Sequence, residues 1–119
     1  MKLNLTRDKD RYLINETAFG LKKEQIENIR SVLYTEKTLD EVILFGSRAK
    51  GNFKPGSDID LALKGESLDL NIILSLMKKL DDLNLPFKFD LLIFEKIKDE
   101  DVIDHIKRAG ISFYKKNKD

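Results

Sequence analysis

Residues 44–61, LFGSRAKGNFKPGSDIDL, place two aspartates one residue apart directly after a basic loop bounded by glycine. Side chains alternate between the two faces of a strand, so Asp58 and Asp60 point the same way if this segment is extended. They would then lie roughly 7 Å apart, and with an effective dielectric near 20 their repulsion is on the order of 2 kcal/mol. A chain that holds such a pair together calls for something to neutralise it.

Working outward, EVILF (41–45) is short, apolar and β-branched and ends at a glycine, the pattern of a buried strand. DIDLAL (58–63) reads as a second strand, and the loop from Gly46 to Ser57 that joins them carries three of the six glycines and one of the two prolines. Upstream, Ile26, Ile29, Val32 and Leu33 recur at helical spacing between Lys22 and Tyr34. Downstream, Ser67 or Asp69 is placed to cap a helix whose apolar side holds Leu70, Ile73, Leu74, Met77 and Leu80. Pro86 breaks the chain before FKFDLLIF (87–94), a third strand with Asp90 at its centre. A last helix from about Asp99 to Ala109 has acidic residues in its first turn and Lys107 and Arg108 in its last, matching the helix dipole, and Gly110 ends it. ISFY (111–114) adds a short strand. Residues 1–18 are polar and read as an N-terminal extension, with the domain over 19–119.

The chain has 119 residues, 41% hydrophobic and 36% charged, which suits one folded domain with a real core. Its net charge of +1 gives no general attraction to nucleic acid or membrane, so any anion site must be local. There is no cysteine, which excludes disulfides, thiolate nucleophiles and cysteine-based zinc sites. His105 is the only histidine, so a histidine-pair zinc site is excluded too, and beside Ile106 it reads as a surface or half-buried residue rather than a catalytic base. Carboxylates remain, and hard oxygen ligands suit magnesium or manganese. No stretch offers the roughly 20 apolar residues that span a bilayer, and a cytoplasmic location is expected.

Gly46 and Gly51 have the gap of a P-loop, but Asn52 and Phe53 stand where that motif requires lysine and a hydroxyl residue. The pattern Gly46-Ser47, ten residues, Asp58-x-Asp60 instead resembles the signature of the DNA polymerase β-like nucleotidyltransferases. VILFGSRAKGNFKPGSDIDLAL (42–63) resembles their minimal branch, which includes MntA-type antitoxins, and the likeness runs from about Gly20 to Tyr114. The resemblance implies an α+β fold, a small mixed β-sheet flanked by helices. It implies that Asp58 and Asp60 bind metal ions, two Mg2+ with Mn2+ as a possible substitute, that carry the triphosphate of ATP. Asp90 would complete the catalytic and metal-binding trio and help activate the attacking hydroxyl. Gly46, Ser47 and Arg48 would hold the nucleotide, Ser57 would buttress the start of the strand, and Lys50 and Lys54 would add positive charge.

Clustered carboxylates suit phosphoryl-type transfer, which needs positioning and charge stabilisation more than a covalent nucleophile. They do not name the acceptor. In 119 residues there is little room for an acceptor-binding domain, so the acceptor is expected to be held largely from outside. By resemblance the chain is an adenylyltransferase antitoxin that moves AMP from ATP to a tyrosine of a HEPN RNase toxin, working as a hetero-oligomer. The near-neutral charge fits a protein acceptor better than a nucleic acid. Alternatives are transfer to a small molecule such as an aminoglycoside, a catalytically silent toxin-binding module, and a structural subunit of a hetero-oligomer.

Overall fold

The computed structural model describes residues 17–117. The extension expected over residues 1–18 therefore lies outside the described residues, except for Thr17 and Ala18. These two form strand β1 (Thr17–Ala18), which turns through Phe19 and Gly20 into β2 (Leu21–Lys22). Both turn residues have positive φ, 59° and 75°, the backbone of a two-residue hairpin whose twist matches its strands. Leu21 is fully buried and fastens the hairpin to the core.

Helix α1 (Lys23–Tyr34) follows at once, and the Lys22 amide donates to Gln25 Oε1 at 2.9 Å, satisfying one donor at its start. Its Ile26, Ile29 and Leu33 are buried, as their spacing requires. Strand β3 (Glu41–Phe45) leads into the four-residue helix α2 (Ser47–Lys50), then β4 (Ile59–Lys64), α3 (Leu70–Asp81) and β5 (Phe89–Ile93). A 3-10 turn over Phe94–Lys96 precedes α4 (Glu100–Ala109) and β6 (Ile111–Lys115). Among the described residues no helix is long and apolar enough to cross a membrane.

The four longer strands form one mixed sheet in the order β5-β4-β3-β6. β3 is antiparallel to both β4 and β6, while β4 and β5 run parallel across the α3 connection. Alternation along the strands sorts the core into two layers. Val42, Leu44, Ile59, Leu61 and Leu63 pack with the buried residues of α1 and with Leu76 and Leu80 of α3. Phe45 and Ala62 pack on the other face with Ile106 of α4. Both faces of β3 and β4 are thus covered, which explains their nearly continuous apolar runs. Asp60, two residues before Ala62, belongs to the α4 face, at the end of the sheet where that cover stops.

The expected helices and strands stand within a residue or two of their sequence limits. Asp69, rather than Ser67, caps α3, its carboxylate accepting from the Ile72 amide at 3.0 Å. Asp99 caps α4 in the same way. Asp69→Ala should lower unfolding free energy by about 1 kcal/mol through the lost N-cap. Urea denaturation at pH 7 measures it, with the slope of the transition unchanged.

Candidate active site

The register of the sheet brings the aspartates together. Asp60 lies directly opposite Asp90 on the neighbouring parallel strand, and Phe45 lies on its other side. Adjacent strands are about 4.8 Å apart, so both carboxylates leave the same face as close neighbours. Asp58 lies one residue before β4 and is exposed, and Asp60 is half-buried. The Ile59 amide donates to the Lys88 carbonyl at 2.8 Å, which pins the start of β4 to the start of β5. Asp90 is the second residue of its strand, not its centre, and that offset is what puts it level with Asp60.

Electrostatics report the same cluster. The Asp60 carboxyl is pushed up to about 6, first by burial, then by the negative charges of Asp90 and Asp58, with Arg48 pulling the other way. Among the described residues no three carboxylates or imidazoles close into a ready-made metal cage. What the chain offers is a set of hard oxygen donors in mutual repulsion at the rim of the sheet. That donor set fits a divalent cation of the magnesium type, whose charge would remove the repulsion. Without a cation, one of the carboxylates can hold a proton near neutral pH.

Gly46 makes this arrangement possible. Its φ of 78° and ψ of −157° suit glycine alone, and the space a Cβ would fill is taken by the Asp60 carboxylate. Its amide donates to His105 Nε2 at 2.9 Å, and the His105 ring stands edge-on to Phe45 with centroids 6.1 Å apart. An Nε2 that accepts belongs to neutral imidazole with its proton on Nδ1. His105 therefore ties α4 to the glycine turn across 59 positions of sequence, a role its lone place beside Ile106 did not disclose. Ser47, half-buried, begins α2, and its carbonyl accepts from the amides of Gly51 and Asn52 at 2.9 and 3.2 Å. The segment expected to be loop throughout thus starts with a helical turn, closed by Gly51 at φ 88°.

Arg48 is placed differently from a solvated loop arginine on a triphosphate. It is 2% exposed. Its Nε and Nη2 donate to the Ser57 carbonyl at 3.2 and 2.8 Å, and Nη1 donates to the Phe19 carbonyl at 2.9 Å. The guanidinium also lies over the rings of Phe87 and Phe53, 4.6 and 5.4 Å from their centroids. Ser57 closes the turn before Asp58, with its Oγ accepting from the Lys54 amide at 2.8 Å and its own amide donating to the Lys54 carbonyl at 2.9 Å. Lys50 and Lys54 are exposed.

Residues 27–119 match the family model described as polymerase beta, nucleotidyltransferase. Among solved structures, a toxin-antitoxin with AMP-PNP is similar at a TM-score of 0.63 and 22% identity, over 76% of this chain and 73% of that one. An MntA-HepT toxin-antitoxin structure gives 0.59 and 20% identity over 80% and 74%. A tri-AMPylated Shewanella oneidensis HEPN toxin in complex with MNT antitoxin gives 0.54 and 20% identity over 77% and 73%. These likenesses show the fold. No curated protein sequence matches the chain.

Two stability outcomes follow from this geometry. Gly46→Ala should cost about 1 to 3 kcal/mol, because the new Cβ meets the Asp60 carboxylate on a backbone that disfavours L-residues. Urea titration reads that loss. For Asp60 the folded value near 6 exceeds the ordinary 3.8, so between about pH 4 and pH 6 the folded chain binds more protons than the unfolded one. Stability is then lost as pH rises through that window, and the penalty is complete above it. Asp60→Asn should accordingly stabilise the metal-free chain at pH 7.5 by about 1 kcal/mol, after allowance for solvent screening, and the gain should shrink towards zero near pH 4. Paired melts at the two pH values, in chelator, check both size and sign.

Proposed function

The chain belongs to the polymerase beta nucleotidyltransferase family, and on that premise we propose that it transfers AMP from ATP to a hydroxyl of a protein acceptor, a tyrosine of a HEPN RNase toxin, and so acts as the antitoxin. The observation that carries this reading is the pairing of Asp60 with Asp90 in register, with Asp58 beside them, directly behind the Gly46-Ser47 turn.

Asp58 and Asp60 would hold Mg2+, with Asp90 completing the set, and Ser47 would meet the triphosphate where Gly46 lets the turn come close. A cation held there would supply charge neutralisation for the triphosphate and for the pyrophosphate that leaves. Asp90, exposed at the rim, takes the proton from the acceptor hydroxyl as its oxygen attacks the α-phosphorus. The bond from that phosphorus to the bridging oxygen of the β-phosphate breaks, and pyrophosphate departs with the electron pair. Nothing in this sequence needs a covalent enzyme intermediate.

The protein acceptor draws support from one similar solved structure, a tri-AMPylated HEPN toxin in complex with MNT antitoxin. The AMP-PNP in another supports an adenine nucleotide as donor. A silent binding module has no use for three mutually repelling carboxylates, which favours turnover over contact alone.

Incubation with a HEPN-domain protein encoded beside it, ATP and Mg2+ should add one or more AMP masses to the partner, read by intact mass spectrometry. Asp58→Asn and Asp60→Asn should abolish the increment, and Asp90→Asn should slow it roughly 100-fold or more. Neutralisation of the toxin that survives all three substitutions with no added mass would establish the binding module instead.

A further inference from the structure

Arg48 is the one buried charged side chain in the described core, and its contacts reach the chain just before Asp58 and just before Asp90. Two of its nitrogens grip the carbonyl of Ser57, the residue before Asp58. Its face rests on Phe87, three residues before Asp90. It follows by two residues Gly46, whose open Cα accepts the Asp60 carboxylate. A third nitrogen binds the carbonyl of Phe19, so the hairpin of β1 and β2 is anchored to the same point. Adding a Cβ at Gly20 in that hairpin would collide with Phe53 and with Arg48 Nη1, a measure of how closely the parts fit.

Three of the five N–H donors of the guanidinium are given to backbone carbonyls and the side chain is buried, which leaves it poorly placed to grip phosphate. Its charge still acts at the site. Asp58 and Asp60 favour its charged form against the burial that disfavours it, and Arg48 in turn favours ionised Asp60.

We propose that Arg48 is a positioning residue, which holds the three aspartate-bearing segments in register beside a buried positive charge and does not bind the triphosphate. The proposal rests on the nucleotidyl-transfer reading for its kinetic consequence, and on the geometry alone for its effect on cation binding.

Arg48→Lys and Phe87→Leu, made in the full chain, separate the possibilities. Lysine keeps the charge but has no planar fork to hold one carbonyl from two nitrogens or to stack between rings. The leucine keeps Arg48 and removes one ring face, so it tests the stack should the lysine variant fold poorly. Both variants should bind Mn2+ more weakly than the unsubstituted chain in calorimetric titration without nucleotide. In transfer assays Arg48→Lys should lower kcat at least about tenfold with the KM for ATP changed less than about twofold. Phe87→Leu should move kcat the same way by a smaller factor. A rise in the KM for ATP with kcat preserved would make Arg48 a triphosphate ligand and overturn the proposal, as would Mn2+ affinity unchanged in both variants. If the unsubstituted chain binds Mn2+ but transfers no AMP, the functional reading fails, while the Mn2+ comparison still decides the role of Arg48. An unsubstituted chain that binds no Mn2+ overturns both.

Discussion

Three carboxylates held together at one end of a small sheet are the constraint on which the rest of the structure turns. Two of them face each other across parallel strands. At a separation near 5 Å and an effective dielectric of 20, their repulsion is on the order of 3 kcal/mol before solvent reduces it. Against a typical domain stability of about 5 to 15 kcal/mol that is a substantial cost. Several features offset it: Asp60 takes up a proton as the pH falls through about 6, Arg48 supplies a buried positive charge close by, and the donor set suits a divalent cation. The hydrophobic layers on either side keep the strands in register despite the repulsion.

The location of the cluster follows from topology. β4 and β5 are parallel, so their first residues lie at the same end of the sheet. β3 runs antiparallel to β4, so its last residue arrives at that end too, and Phe45 pairs with Asp60. The chain leaves β3 through Gly46 directly above the aspartates. A turn that approaches a carboxylate this closely has no room for a side chain. Fold and site are therefore one arrangement, because the register that buries Ile59, Leu61 and Leu63 also levels Asp60 with Asp90.

What the sequence made legible was local. Periodicity gave the positions of α1, α3 and α4, and the apolar runs gave β3, β4 and β5, but the apolar side expected for α3 is not its buried side throughout, since Leu70 and Leu74 are exposed while Leu76 and Leu80 are buried. The candidate site was read from a short span, Gly46-Ser47 and Asp58-x-Asp60, within which the structure brings Gly46 against Asp60. The hairpin at Phe19-Gly20 was not legible, since phenylalanine at a positive φ carries none of the Asn-Gly signal of such turns. The family resemblance joined Asp90 to the pair, but the register that sets it level with Asp60, thirty positions away, was not legible, because register is set by contacts between strands. The contacts of His105 and Arg48 were not legible for a related reason. An isolated histidine on a helix and an arginine in a polar loop look ordinary until the turn at Gly46, the ring of Phe87 and the carbonyl of Ser57 are folded around them.

The clamps also bear on how such a site can act. Transfer of a nucleotidyl group gains most when the groups that hold charge are already in place before the reaction begins. Here the positions are set from behind: His105 fixes the glycine turn, Arg48 fixes Ser57, and Lys88 fixes Ile59. Each of these contacts lies on backbone rather than on the carboxylates themselves, so the oxygens of Asp58 and Asp90 stay at the exposed rim. Rigidity and access usually conflict, since a group that is well packed is poorly exposed. Anchoring the main chain one residue before Asp58 and Asp60 and two before Asp90 resolves that conflict, and a buried arginine is suited to it because its planar fork can bind carbonyls and aromatic faces at the same time.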